Sequence, residues 1–504
     1  MLRSCLGKTY ERYRRAACAR PTCSTNIGLI VIILAAAGVF LRCFKLSFQS
    51  YWFDEINSIE HVSQNVFFKW IAHGSGGDPP LYEFLLYFWL RIFGSHETPV
   101  RALSAIFSIG TIPALYALTR ELFDRRTAGY SVILLSLSSY HIFYAQEARM
   151  YALTGFLVII SAVFFIKALK HGRVMWWALY ALTAALAFYA HYAVLFIIFA
   201  EYATLCLFRH TCKIRLWYWL GSASAIAIMI LPWIGRSVIP CFITPVFINR
   251  DAYLWVPPPS PKIIIDTFIF FIAGHEWVLR ALPRGFDVAC KTAVTATGSM
   301  ILADLWLTFK QTGPRAEKAH AALLVVWCLL PVAAVYTVSV LLKPIYVVRY
   351  VDTALLALLV LCARAICRMR AGYLVISFFI FYAILNIMTL NHYYRFQVKS
   401  PGREIADHLR SKQLADKYIL IHSPYEMRVI GYYYPGISHA IRELTPQSFR
   451  NAIKHNRDLV FVVPLDNFRA PDGIEHDLTE RYQQTGRDVL GPVQIIVFSK
   501  VSSP

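Results

Sequence analysis

A chain of 504 residues that is 57% hydrophobic, 15% aromatic and only 16% charged carries more apolar surface than a soluble core can hide, so a bilayer is its expected solvent. The formal charge of +20 does not mark a nucleic-acid binder, because Lys and Arg fall in short clusters between apolar runs rather than on one basic face. The 11 cysteines lie almost entirely in or beside those runs and in the N-terminal segment, with none after Cys367, which implies no disulfide framework.

Residues 1–25 are basic and precede an apolar run too long for a signal peptide and without a convincing cleavage site; the run reads as a retained first helix. Candidate spans follow the hydropathy at about 26–46, 100–118, 128–145, 151–169, 174–190, 193–209, 215–234, 289–308, 321–341, 351–367 and 372–390. These predict a polytopic α-helical membrane protein of about eleven transmembrane helices, with a transmembrane region over 26–395 and a first non-cytoplasmic loop over 47–99. Within that loop, "DPPLYEFLLYFWLRIFG" (78–94) has Pro where a helix best starts and Gly where it best stops. Its length and its Trp and Tyr content suit a helix lying at the interface, walling a site on the membrane side. The run "IIIDTFIFFIAG" (263–274) is too short to span and is expected at the surface or re-entrant.

With a cytoplasmic N-terminus, the inside segments 1–25, 119–127, 167–173, 209–215, 309–319 and 364–371 hold 21 Lys and Arg against 4 Asp and Glu. That is the bias of inside loops, and an odd number of spans then places the C-terminus outside. After about residue 395 the apolar runs shrink to strand length: "YILIH" (418–422), "DLVFVV" (458–463) and "VQIIVFS" (493–499) read as strands, "REIADHLRSK" and "EMRVIGYYY" as helices. Residues 396–504 are therefore expected to form a small soluble α/β domain on the non-cytoplasmic side, and the whole to sit in a bacterial inner membrane with that domain in the periplasm.

On this topology Asp54, Glu55, Asp78, Glu147, Arg149, Lys343 and Arg349 all fall on the non-cytoplasmic side. Positive charge there runs against the inside bias. Snorkelling towards headgroups is one account of Arg149, Lys343 and Arg349; a phosphate site is the sharper one, since guanidinium offers a fork and lysine a point charge. In "SYWFDEINS" (50–58), one acid could cap a helix beginning near Ile56. Capping does not account for both acids, and a carboxylate in a half-apolar pocket is suited to act as a general base. Glu201, in mid-span, should have a partner or a cavity.

At these residues the sequence resembles the GT-C class of membrane glycosyltransferases, and is similar to the protein O-mannosyltransferases and the aminoarabinose transferase of lipid A. The matching stretches are "WFDE", "DPPLYEFLL", "GSHETPVRALSA", "SSYHIFYAQEARMYAL", "YAHYAVLF" and "YVVRYV", covering most of 50–200 and a shorter part of 344–357. The resemblance implies a polyprenyl-phosphate sugar donor entering from the bilayer and a lipid, glycan or protein acceptor whose hydroxyl approaches from the non-cytoplasmic side. It also implies Asp54 as catalytic base with Glu55 as its neighbour, and a substrate pocket including Trp52, Asp78, Tyr82, Glu147, Tyr151, His191, Tyr192 and Tyr350. Asp78 stands before Pro79-Pro80 where the aminoarabinose type has a lysine, so the donor phosphate is expected on Arg149, Lys343 or Arg349. No cofactor is predicted; a DE pair also suggests a divalent metal, as in the oligosaccharyltransferase branch, but no further His/Asp cluster joins it. Direct displacement with inversion needs one base and a stabilised leaving phosphate, whereas retention needs a second positioned carboxylate. The rivals are a secondary transporter coupled through Glu201 and a lipid-binding scaffold or sensor built around the tail.

Overall fold

The computed structural model of the protein describes residues 24–63, 79–208, 216–239, 256–310, 314–454, 458–465, 478 and 480–500. Each of the eleven apolar runs is helical, at Ser24–Cys43, Glu97–Leu122, Arg125–Leu137 with Ser139–Ala145, Tyr151–His171, Val174–Ala190, Val194–Leu207, Leu216–Trp233, Arg284–Lys310, Arg315–Leu341, Thr353–Arg368 and Gly372–Arg395. Among the described residues, six helices are long and apolar enough to cross a membrane, and three more are apolar but shorter. The expected count of eleven crossings is therefore not supported by length and composition. Val194–Leu207, for example, has 14 residues and extends only about 21 Å, short of a straight crossing of roughly 30 Å.

The run read as one span at 128–145 is two helices. Ser138 leaves the helical conformation, and its side chain accepts from the backbone N–H of His141, capping the second helix. Other ends follow ordinary chemistry: Asp124 accepts from the N–H groups of Arg126 and Thr127, and Gly172 closes its helix at φ +60°. The helix Leu81–Phe93 starts after Pro80 and stops at Gly94, φ +83°, as its sequence predicts. It buries Tyr82, Glu83 and Leu86 and leaves Phe84, Phe88, Ile92 and Phe93 exposed, the distribution of a helix lying at an interface. The short apolar run forms Lys262–Ala273, whose buried residues include Thr267, Ile269, Phe271, Ile272 and Ala273.

Thr353–Arg368 is the central post, with every residue from Thr353 to Ile366 buried. Outward-facing Leu29, Ile32, Leu302, Trp306, Ile376 and Ile384 are exposed, which is stable only against lipid chains. Two sets of charged groups inside the bundle have partners. Tyr180 donates to Glu201 at 2.8 Å, the partner that a mid-span acid requires. Asp304 pairs with Arg364 and Arg368, and both arginines also reach Glu317.

The tail carries a five-stranded sheet in the order β2-β1-β3-β5-β4, formed by Tyr418–Ile421 (β1), Ile441–Glu443 (β2), Leu459–Pro464 (β3), Tyr482–Leu490 (β4) and Val493–Lys500 (β5). β2, β1 and β3 run parallel; β5 and β4 form an antiparallel hairpin beside β3. Apolar clusters cover both faces of the sheet. The helices Gly402–Ser411 and Pro424–Tyr433 match expectation, whereas β2, β4 and the helix Pro446–Lys454 do not appear in the sequence reading. β4 has mostly exposed side chains and so lacks the apolar alternation that announces a strand.

This domain and the end of the helix Gly372–Arg395 grip the first loop. Gln49 donates to the carbonyls of Tyr393 and Phe396, both at 2.8 Å, and the Tyr51 N–H donates to the Tyr433 hydroxyl at 2.7 Å. Arg403 pairs with Glu97 at 3.0 Å, Ser50 donates to Glu404, and Arg428 pairs with Glu60.

Close backbone approach sets one testable point in the bundle. A Cβ on Gly38 would lie 2.7 Å from the Cβ and 2.9 Å from the Cα of Ser136, whereas one on Gly28 meets nothing within 4 Å. Gly38→Val should destabilise the protein by about 1 to 3 kcal/mol or more through forced helix separation, and lower its thermal midpoint in detergent. Gly28→Val should not; equal midpoints for the two variants would contradict this helix contact.

Candidate active site

The helix Phe53–Ser63 places Asp54 and Glu55 in its first turn. Glu55 is fully buried and accepts from Arg101 through two bonds, Nε to Oε1 at 2.8 Å and Nη2 to Oε2 at 2.7 Å. The Ala148 N–H donates to Oε1 at 2.9 Å, and the Lys399 Nζ lies 3.5 Å from Oε2. Oε2 also accepts from the Trp52 N–H at 3.3 Å, which is the capping contact one of the two acids could make. The other Arg101 donors reach the carbonyls of Leu46, Gln49 and Ser50. Burial alone raises the Glu55 carboxyl, but Arg101, then Lys399, outweigh it and hold it down at about 2. Glu55 is thus a saturated anchor of the loop.

Asp54 faces a different group, with Oδ2 3.1 Å from Nη2 of Arg349 and both side chains partly exposed. Arg349 sits in a short 3-10 turn, Val348–Val351, just before the central post. Its guanidinium lies 5.1 Å from the Trp52 ring and 5.7 Å from that of Tyr350. From there a chain of rings runs from Tyr350 to His191 at 5.7 Å, on to Tyr151 at 6.2 Å and to Tyr144 at 5.0 Å. On the other side Trp52 meets Trp277 edge-on at 5.3 Å, and His275 stacks on Phe143 at 3.9 Å.

The structure therefore brings Trp52, Asp54, Arg349, Tyr350, His191 and Tyr151 into one continuous cluster. Arg149 donates from Nη1 to the Ser58 hydroxyl at 2.9 Å, one turn along the Asp54 helix. Tyr82 is buried with its hydroxyl 2.9 Å from that of Ser104, and the Tyr192 hydroxyl accepts from the Trp233 indole at 3.1 Å, so both are engaged in helix packing. Lys343 is buried just beyond the helix Arg315–Leu341. Asp78 lies outside the described residues.

Glu147 stands apart chemically. It is buried, and neither carboxyl oxygen has a hydrogen-bond partner. Burial pushes it up to about 7, with Lys399 and Arg349 opposing and Glu55 and Asp54 reinforcing the rise. Among the described residues, no group of three His, Cys, Asp or Glu side chains is gathered closely enough to hold a metal ion.

Arg101, Lys399, His275 and Trp277 were not singled out from sequence, nor were Phe143 and Tyr144. Arg101 carried a usable signal, since an arginine within an apolar helix needs a buried carboxylate. Lys399, His275 and Trp277 carried none, because tertiary packing alone brings them to the first loop.

Comparison with known proteins bears on the fold. The sequence profile of the dolichyl-phosphate-mannose-protein mannosyltransferase family matches residues 77–234. The crystal structure of ArnT from Cupriavidus metallidurans bound to undecaprenyl phosphate superposes with a TM-score of 0.56 at 11% identity, covering 95% of this chain and 99% of that one. The archaeal oligosaccharyltransferase AglB from Archaeoglobus fulgidus, in complex with an inhibitory peptide and a dolichol-phosphate, superposes with a TM-score of 0.51 at 12% identity, covering 87% of this chain and 69% of that one. No match was found among curated proteins. The chain is similar to GT-C membrane glycosyltransferases and shares their fold.

Two expectations test the site's electrostatics. Arg101→Met strands the buried Glu55 charge and should cost about 3 to 5 kcal/mol, whereas Arg101→Met with Glu55→Gln should recover part of the loss in thermal midpoint. Glu147 binds its proton more tightly folded than at its ordinary value of 4.5, so its contribution to stability falls as pH rises from about 4.5 to about 7. Glu147→Gln should flatten that part of a midpoint-against-pH profile, by an amount on the order of 3 kcal/mol across the window. An unchanged slope would contradict the buried, unpartnered carboxyl.

Proposed function

We infer that the protein is an integral membrane glycosyltransferase that moves one sugar from a polyprenyl-phosphate donor to a hydroxyl acceptor on the non-cytoplasmic face, with inversion. The observation that carries this is the contact between Asp54 and Arg349, because it joins a base and a phosphate ligand in one pair. An acceptor hydroxyl would give its proton to Asp54 while its oxygen attacks the sugar C1 and the bond from C1 to the phosphate oxygen breaks. Negative charge then grows on the departing phosphate, where the Arg349 guanidinium would meet it. Arg149 and Lys343 are proposed as further phosphate ligands. Tyr151, His191 and Tyr350 would line the sugar, consistent with their ring contacts.

The orientation rests on the 21 to 4 excess of basic over acidic residues in the inside segments. Donors bound to undecaprenyl phosphate or dolichol phosphate are suggested by what ArnT and AglB hold in their structures. A second reading, favoured by the unpartnered oxygens of Glu147, makes that carboxyl the proton acceptor.

Asp54→Asn in reconstituted protein should lower transfer from a polyprenyl-phosphate sugar by about 10² to 10⁴ while leaving the thermal midpoint near that of wild type. Wild-type turnover by Asp54→Asn, with the loss appearing instead in Glu147→Gln, would move the base to Glu147. Turnover from a nucleotide sugar with no use of lipid-linked donors would end the donor assignment.

A further inference from the structure

We propose that Arg42, Asn386 and Gln146 are positioning residues for the site, which hold a broken helix so that residues 147–149 lie against the helix of Asp54. What those residues then do to a substrate rests on the glycosyltransferase reading above; their placement does not.

Two loose ends are left where the apolar run breaks at Ser138. In an unbroken helix the Ser139 N–H would donate to the Leu135 carbonyl, four residues back. Here it donates to Asn386 Oδ1 at 2.8 Å, and the Ser139 hydroxyl donates to the same oxygen at 2.7 Å. The Leu135 carbonyl accepts from Arg42 Nη2 at 2.9 Å, beside a longer bond from the Ser138 N–H at 3.3 Å, and the Ser136 carbonyl accepts from Arg42 Nη1 at 3.4 Å. One end of the break is thus met from the first helix, Ser24–Cys43, and the other from the last, Gly372–Arg395.

Arg42 is fully buried, and its remaining donors reach the Gly38 carbonyl and the Ser108 hydroxyl, both at 2.8 Å, and His141 Nδ1 at 3.0 Å. Five N–H groups meet five acceptors, and none of these is a carboxylate. Burying a charge without a counter-ion is costly, so the guanidinium is there for its donors and not for an ion pair.

The other end of the short helix Ser139–Ala145 is held in return. Gln146 Nε2 lies 3.0, 3.2 and 2.8 Å from the carbonyls of Leu41, Arg42 and Phe44, where the first helix ends and its last carbonyls lack intrahelical partners. Arg42 closes the end of Arg125–Leu137, and Gln146 closes the end of the helix that carries Arg42. A helix of 7 residues is too short to hold its own direction, so these contacts at its ends set it. The chain leaving this clamp runs onto the Asp54 helix: the Ala148 N–H donates to Glu55 at 2.9 Å, Arg149 donates to Ser58 at 2.9 Å, and Ser104 donates to the Arg149 carbonyl at 3.3 Å. Glu147 lies between them, within reach of the charges of Lys399, Glu55, Arg349 and Asp54.

The test uses the full chain in detergent micelles and two measurements on each variant: the affinity for undecaprenyl phosphate, by titration of tryptophan fluorescence, and the thermal midpoint as a function of pH. Gln146→Met keeps the side-chain length and removes the donors. It should weaken undecaprenyl phosphate binding by roughly five- to tenfold through Arg149, and the same change made on top of Arg149→Ala should cost nothing further. It should also let water reach Glu147 and flatten the fall in midpoint from about pH 4.5 to about 7. Asn386→Leu should act in the same direction, and Arg42→Lys, which keeps the charge with fewer donors, should do so by less. Tyr202→Phe, which loses a hydrogen bond to Ser222 between two other helices, should leave the lipid affinity at its wild-type value. An unchanged pH profile in Gln146→Met, or a loss of affinity that adds in full to that of Arg149→Ala, would overturn the proposal. A flattened profile in a protein whose wild type binds no undecaprenyl phosphate would support the placement and count against the transferase reading instead.

Discussion

The buried pair between Glu55 and Arg101 is the constraint from which the site follows. Two charges this deep are costly unless each is matched, and here the match is complete: a bidentate fork, a backbone N–H, a lysine, and three carbonyls for the remaining guanidinium donors. Because successive residues on an α-helix are turned by about 100°, fixing Glu55 inwards turns Asp54 out of the same pocket. That is where Arg349 meets it. Two adjacent acids therefore have different jobs by geometry, one holding the loop and one facing the site.

Much of this architecture was legible in the sequence. Apolar runs announced the helices, Pro80 and Gly94 marked the ends of the helix Leu81–Phe93, and the gathering of charge on one side included Asp54 and Arg349, which lie in contact. What stayed hidden has physical reasons. The break at Ser138 depends on one side-chain hydrogen bond inside an otherwise unbroken apolar run. The strand Tyr482–Leu490 is paired on one side only and exposed, so nothing forces an apolar period on it. Lys399 lies 344 residues from Glu55 in the chain, a pairing no local pattern encodes.

The placement of charge also bears on the choice between chemistry and transport. The Asp54–Arg349 pair precedes the central helix Thr353–Arg368, and the Asp304, Glu317, Arg364 and Arg368 network gathers around its far end. A helix of 16 residues separates them by about 24 Å. Glu201 hydrogen-bonds to Tyr180 on a neighbouring helix, an arrangement that joins helices without requiring a moving ion. A transporter's coupling groups gather near mid-bilayer, whereas the larger cluster here lies at one end of the bundle.

The C-terminal domain packs directly on the loop that carries Asp54. Lys399, at its root, touches Glu55; Tyr433 receives the N–H of Tyr51; and Arg403 pairs with Glu97, at the start of the helix that carries Arg101. The loop bearing Asp54 is thus held between the membrane bundle on one side and the sheet domain on the other. Neither part alone fixes the direction of the Asp54 helix, because the contacts to Ser50 and Tyr51 come from the tail and the fork on Glu55 comes from the bundle. The Asp54 carboxylate therefore sits at a seam where the bundle and the sheet domain each supply one wall.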